Sequence, residues 1–128
     1  MAFAATLIAC TEVRVVDGDT FWCDGNKVRV AAIDTPEPRK HGNAECLAEE
    51  MLASLATAYA EEILVSPKVA IEEKGQDRYG RTLARVSVIL PGNTFATDYG
   101  DLMISKGLAK PYKGKQVDWC GSFPGWKE

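Results

Sequence analysis

The sequence has a single histidine, His41, and its four cysteines, at positions 10, 23, 46 and 120, show no Cys-x-x-Cys spacing. A zinc centre built from imidazole and thiolate is therefore not the organising feature. A basic surplus is missing too, since the net charge is −3 and the isoelectric point is about 5.2. Proteins that hold a polyanion through their whole surface field are basic, so contact with one has to be local, modest in affinity and sensitive to salt. No stretch is long and apolar enough to span a bilayer. Internal repeats, low-complexity tracts and linkers are absent, and 128 residues at 46% hydrophobic content suffice for one domain with one core.

The even cysteine count permits two disulfides in three connectivities. Cys10 with Cys23 and Cys46 with Cys120 is the favoured pairing, because the first would flank one strand and the second would tether the C-terminal tail; four buried thiols are the alternative. Residues 1–10 form an apolar run that fits a first β-strand or the remnant of an export signal, without a basic region before it. The expected organisation is this segment, a domain over residues 11–120 and a tail over 121–128. Its location is expected to be secreted or periplasmic, with the cytoplasm as the alternative.

Val13 and Val15 alternate with Arg14 as in a half-buried strand, and Phe21 and Trp22 continue the pattern. Trp22 reads as a packing residue before it reads as a base-stacking one. Asn43 is a suitable N-cap, and Leu47, Met51, Leu55, Tyr59 and Ile63 recur every four residues, which predicts an amphipathic helix whose charged side includes Glu45, Glu49, Glu50, Glu61 and Glu62. The adjacent pair Glu49 and Glu50 is read as part of a solvated face. Ser66-Pro67 turns the chain into a strand at residues 68–71, and a second hairpin turns through residues 75–80 into residues 81–89. A shorter helix starts near Thr97 or Asp98 and stops at Gly107. His41, in a polar loop with Arg39 and Lys40, reads as a solvated residue. The tail, with Trp119, Cys120, Phe123 and Trp126, is apolar enough to pack back on the domain.

The densest chemistry lies in residues 16–37. Asp17-Gly18-Asp19-Thr20 precedes an apolar run, Asp24-Gly25-Asn26 supplies a tight turn, and the returning run carries Arg29 before ending in Asp34-Thr35-Pro36-Glu37. An antiparallel hairpin would bring Asp19 towards Asp34. Two facing carboxylates repel, and a hard divalent cation that takes carboxylate and carbonyl oxygens neutralises them without histidine or cysteine. Arg29 reads as a charge on a face that should be buried, and its forked guanidinium suits a carboxylate or a phosphate. Arg78, Tyr79 and Arg81, around the second turn, form a cation, phenol and cation set able to clamp a phosphate and a sugar.

Three motifs in order, Asp-Gly-Asp-Thr at 17–20, Arg-x-x-x-x-Asp-Thr-Pro-Glu at 29–37 and Asp-Arg-Tyr-Gly-Arg at 77–81, make the chain resemble the staphylococcal nuclease family across residues 11–112. The resemblance implies an α+β fold, an OB-fold five-stranded β-barrel with helices. It implies Asp19 and Asp34 as Ca²⁺ ligands with the carbonyl of Thr35, Glu37 as the group that activates or orients water, and Arg29 and Arg81 on the scissile phosphate. Arg78, Tyr79, Tyr112 and Lys113 would bind substrate. The implied activity is calcium-dependent endonuclease and exonuclease hydrolysis of DNA and RNA, preferring single strands and giving 3′-phosphate products, by a monomer with no obligate protein partner. The alternative is a catalytically silent domain of the same kind that binds nucleic acid or protein. Such domains lose site residues, whereas Asp19, Arg29, Asp34, Glu37 and Arg81 are all present. The loop after Glu37 is short for the family, and the tail from Cys120 replaces its C-terminal helix.

Overall fold

The computed structural model describes residues 6–38, 44–65 and 68–122. In chain order they form β1 (Leu7–Cys10), β2 (Val13–Asp17), β3 (Thr20–Cys23), β4 (Asn26–Val30), β5 (Ile33–Asp34), α1 (Leu47–Val65), β6 (Lys68–Gln76), β7 (Thr82–Ile89), β8 (Thr97–Asp98), α2 (Tyr99–Ser105) and β9 (Lys110–Pro111), with a 3₁₀ turn at Cys120–Ser122. The expectations for Arg39, Lys40, His41, the Asn43 cap, the Ser66-Pro67 turn, Phe123 and Trp126 concern positions outside the described residues.

Two hairpins build the sheet. The first turns at Asp24 and Gly25, whose φ angles of 48° and 85° are those a two-residue turn of this hand needs. It sets Phe21 opposite Val28, both fully buried, and Thr20 opposite Arg29. The second pairs β6 with β7 and shifts register between Glu73 and Gly75. A parallel ladder from β4 to β7, with Val28 beside Thr82 and Val30 beside Ala84, joins the hairpins. Behind the sheet lies a core that includes Phe21, Val28, Leu64, Ile71, Val86, Val88, Tyr99 and Met103.

The closed barrel is not what these strands make. Their order is β1-β6-β7-β4-β3-β2, with β8 on the side of β7, and the path ends at β1 and β2. The sheet is therefore mixed and open. Its ends are consecutive strands, and the link between them is bound elsewhere: the N–H groups of Thr11 and Glu12 both donate to the Asp24 carboxylate, and the Asp24 N–H donates to the carbonyl of Glu12. The link is thus fastened to the first hairpin's turn, and β1 pairs with β6 while β2 pairs with β3.

The long helix forms as its periodicity predicts but buries another face. Ala53, Ala56 and Ala60 are sequestered with Ile63 and Leu64, whereas Leu47, Met51 and Leu55 are 47%, 50% and 59% exposed. The reason is distance. Ala56 lies against Gly18, where a built Cβ would come within 3.0 Å of the Ala56 Cβ, so a larger residue on this face would hold the helix off the sheet. The second helix follows expectation, with Asp98 capping it by accepting the Asp101 N–H at 2.9 Å and Gly107, at φ 74°, just past its end.

Both favoured disulfides are present, Cys10–Cys23 with Cα atoms 5.3 Å apart and Cys46–Cys120 with Cα atoms 6.0 Å apart. The second ties the residue before α1 to the buried pair Trp119 and Cys120, so the described part of the tail packs on the domain. The two bridges close loops of 13 and 74 residues' separation. Loop-closure entropy then gives them about 3 and about 4 kcal/mol respectively. Replacing Cys46 and Cys120 together by serine is accordingly expected to cost more than replacing Cys10 and Cys23, as read by denaturant unfolding. A loss below about 1 kcal/mol for the longer loop would contradict this.

Candidate functional site

The site starts where the chain is pressed most tightly. After a register shift between Val15 and Asp17, Gly18 passes under α1, where a side chain would meet Ala56, Thr35 and Met103. The buried Tyr99 hydroxyl donates to the Gly18 carbonyl at 2.6 Å. The flanking carboxylates are fixed as a result. Asp19 is 6% exposed and is held by side chains from several elements: Thr20 Oγ1 donates to Oδ1 at 2.9 Å, Thr35 Oγ1 donates to Oδ2 at 2.9 Å, and Arg29 Nη2 stands 3.4 Å from Oδ2. Asp17 accepts the Asp19 N–H at 3.1 Å.

Arg29 does not intrude on the core. It is half-buried on the outer face of β4, and Nη1 donates to the carbonyls of Val30 at 2.7 Å and Ile33 at 3.1 Å. Beyond β4 the alternation of faces is reset by Ala32, which has a left-handed φ of 68°. Ala31 still donates to Ala84 of β7, but Ile33 and Asp34 leave that sheet and pair with β9, so Asp34 is buried and accepts the Val117 N–H at 2.9 Å. Around the second hairpin, Asp77 accepts the N–H groups of Tyr79 and Arg81 and takes Arg81 Nε at 2.6 Å. Arg81 also reaches Thr20 Oγ1 at 3.5 Å and lies over the Tyr79 ring.

These elements wall one cleft of about 860 Å³. It brings together Asp19, Arg29, Asp34, Glu37, Arg78, Tyr79, Arg81 and Tyr112 of the expected residues. Thr35 lies beneath it, and what the structure gives it is a hydroxyl bond to Asp19. Lys113 is exposed and is not part of the lining. Asp17 and Lys27 line the cleft as well, and sequence reasoning did not single them out.

The carboxylates are crowded enough to resist ionisation. Glu37 is pushed up to about 7, first by burial and then by the charges of Asp19, Asp34 and Glu49, with Arg29 opposing. Asp17 is pushed up to about 7 by burial and then by Asp19. Asp34 is raised by burial, against the Val117 N–H that lowers it. Unneutralised negative charge beside hard oxygen donors is what a divalent cation relieves, so Asp19, Asp34 and the Thr35 carbonyl fit Ca²⁺ or Mg²⁺ by donor type. At the opposite edge Asp77 is held low: partial burial raises it, but the N–H and guanidinium of Arg81 and the Tyr79 N–H outweigh that.

Glu49 is the residue the sequence misplaced. It is 4% exposed, not solvated, and its two oxygens accept the N–H of Glu37 at 2.9 Å and of Glu45 at 3.0 Å. One side chain of α1 thus fastens the chain on both sides of residues 38–44. Nearby, Glu45, Asp118 and Cys120 bring one possible metal-ligand atom each within 4.8 Å of one another, the one such group of three or more among the described residues. The Cys120 sulfur, however, is already bonded to Cys46, which leaves two exposed carboxylates there.

Comparison with known proteins agrees with the geometry. The model of the family described as staphylococcal nuclease homologue matches residues 27–119. A protein named micrococcal nuclease from Shigella flexneri is 33% identical over 115 residues, 83% of this chain and 60% of its own length. One named uncharacterized endonuclease, from Haemophilus influenzae, is 35% identical over 82 residues, covering 60% of this chain and 40% of its own length. Protein ParB from Escherichia coli is 31% identical over 118 residues, 83% of this chain and 59% of its own. The chain thus spans between 40% and 60% of the length of these relatives.

The raised carboxyls set a stability trend. A folded-state pKa above the unfolded one stabilises at low pH, and that contribution is lost as pH climbs from about 4.5 through about 7, where Glu37 and Asp17 release their protons. Asp24 and Asp77, which are held low, have their contributions complete above about 4 and add no slope in this window. The melting temperature in chelator is therefore expected to fall between about pH 5 and about pH 8, and to fall less in Glu37→Gln. A flat or rising profile would show that the crowding is not felt.

Proposed function

The chain belongs to the staphylococcal nuclease homologue family, and on that premise we propose that it is a calcium-dependent phosphodiesterase, hydrolysing DNA and RNA, with a preference for single strands, to 3′-phosphate products. The observation that carries this reading is the pairing within one cleft of a carboxylate group, Asp19, Asp34 and Glu37, with the guanidiniums of Arg29 and Arg81. Anion and cation clusters side by side suit a metal-bridged phosphate better than either would alone.

In this mechanism Asp19 and Asp34, with the Thr35 carbonyl, would hold the cation, which when bound offsets charge growing on the phosphoryl oxygens. Arg29 and Arg81 approach from different hairpins, one through Asp19 and the other at Thr20, and would grip the scissile phosphate from two sides. Their forks are oriented in advance, Arg29 by two carbonyls and Arg81 by Asp77, so little freedom is lost on binding. Glu37, with a proton affinity near neutrality, would take a proton from the attacking water as the oxygen bonds to phosphorus. The bond from phosphorus to the 5′ oxygen breaks and that oxygen is protonated, leaving the phosphate on the 3′ side. Tyr79, 74% exposed, would cover the neighbouring sugar with Arg78 and Tyr112. The two disulfides support work in an oxidising compartment.

Incubating the purified protein with heat-denatured DNA tests the reading. Cleavage is expected with Ca²⁺, to stop in chelator, and to be at least ~100-fold slower in Arg81→Ala. Cleavage in chelator, or an unchanged rate in the variant, would refute the assignment; absence of cleavage with any divalent cation would favour the silent binding domain.

Glu49 enters as a positioning residue, since it holds the main chain of Glu37. Glu49→Gln is expected to lower kcat about 10- to 100-fold with KM little changed. In a Glu37→Gln background the same substitution should have no further effect on kcat, because the catalytic group it positions is already lost. Equal losses in both backgrounds would make Glu49 a general structural residue instead.

A further inference from the structure

A cationic row leads out of the cleft across the outer face of β2, β3 and β4. Phe21 and Val28 are fully buried on the core side, so their chain neighbours Trp22 and Lys27 stand on the opposite side of the sheet. Val13 and Val15 pack against the core in the same way, which leaves Arg14 outside. The register places Arg14 opposite Trp22 and Trp22 opposite Lys27, so the three form one cross-strand row. The Arg14 guanidinium carbon and the Lys27 amine each lie 5.6 Å from the centre of the Trp22 ring. Among the described residues neither cation pairs with a carboxylate. Both are steadied by the ring instead.

This row is continuous with the reaction site. Lys27 lines the cleft two residues from Arg29, so the cationic path runs from Arg29 to Lys27 and then over Trp22 to Arg14. Strands are about 4.8 Å apart, which puts the backbones of Arg14 and Lys27 about 10 Å from each other, a span that reaches past a single nucleotide. In a chain with net charge −3, a polyanion is attracted only where cations are concentrated and unpaired. The opposite edge of the cleft, at Arg78 and Tyr79, already has its own set.

We infer that the Arg14, Trp22 and Lys27 row is a binding subsite for the strand of single-stranded nucleic acid that continues beyond the scissile phosphate, with Lys27 and Arg14 on backbone phosphates and Trp22 holding both cations in place. The inference rests on the phosphodiesterase reading for its choice of ligand. Such a subsite is blind to sequence and strongly dependent on salt. It also lets an acidic protein hold a polymer along one line.

Fluorescence anisotropy in chelator, where cation-dependent hydrolysis is suppressed, reads the subsite directly. The probes are a labelled twelve-nucleotide strand and a labelled trinucleotide, titrated from about 25 to about 200 mM salt. The wild-type protein is expected to bind the longer strand more tightly. For that strand, Arg14→Gln should reduce the slope of log K against log salt by about 0.7, and Arg14→Gln with Lys27→Gln by about 1.4. For the trinucleotide, Arg14→Gln should leave the slope where it is. Equal slopes in all three proteins, or no preference for the longer strand, would overturn the subsite. Hydrolysis is scored separately: cleavage with unchanged slopes removes the row and keeps the phosphodiesterase, while slope changes without cleavage keep the row on a silent binding domain.

Discussion

A carboxylate that is 6% exposed needs polar partners, and those of Asp19 tie the structure together. Its partners come from different parts of the chain: Thr20 from the start of β3, Arg29 from β4 and Thr35 from just beyond β5. The loop that carries it is held by Tyr99 of α2 and covered by Ala56 of α1. Two hydroxyls and one guanidinium offset part of the charge, and what remains adds to burial in raising Asp17 and Glu37. The folded chain thus stores negative charge at a point where a cation and a phosphate together would relieve it.

The helix contributes by being thin as well as by being apolar. Its alanine face lets α1 lie close over Gly18, and that closeness brings Glu49 within reach of the Glu37 and Glu45 main chain. The Cys46–Cys120 bridge sits at the same end of α1, with Cys120 Sγ 4.0 Å from Glu49 Oε1. Packing, a buried carboxylate and a covalent tether therefore converge on the segment that presents Glu37. The opposite wall is simpler, because Asp77 organises the turn and Arg81 together through three bonds.

What could be read from residues alone was local or carried by a motif. The Asp24-Gly25 turn, the cap and stop of α2 and the grouping of Asp19, Asp34 and Arg29 depend on near neighbours or on one hairpin. The misreadings involve contacts or backbone conformations that residue patterns do not display. Leu47, Met51 and Leu55 looked like a core stripe, but the buried face is set by how close Gly18 comes. Glu49 looked solvated because the N–H groups that claim it are those of Glu37 and Glu45, on either side of residues 38–44. Arg29 was assigned to the wrong face because left-handed Ala32 resets the alternation after it. Closure of the sheet turned on the Thr11 and Glu12 N–H groups, which bond to Asp24.

The measurement that bears most directly on this account is the response of thermal stability to Ca²⁺ in the wild-type protein and in Asp19→Asn. A cation that binds the folded chain alone raises stability by mass action, about 2.7 kcal/mol at a hundred times its dissociation constant. The account predicts a melting temperature that climbs with the logarithm of Ca²⁺ once the cation exceeds its dissociation constant, with the onset of the climb moved to at least ~10-fold higher Ca²⁺ when one ligand charge is removed. The same onset in both proteins would mean that Asp19 does not hold the cation, and the site would have to be rebuilt around other residues.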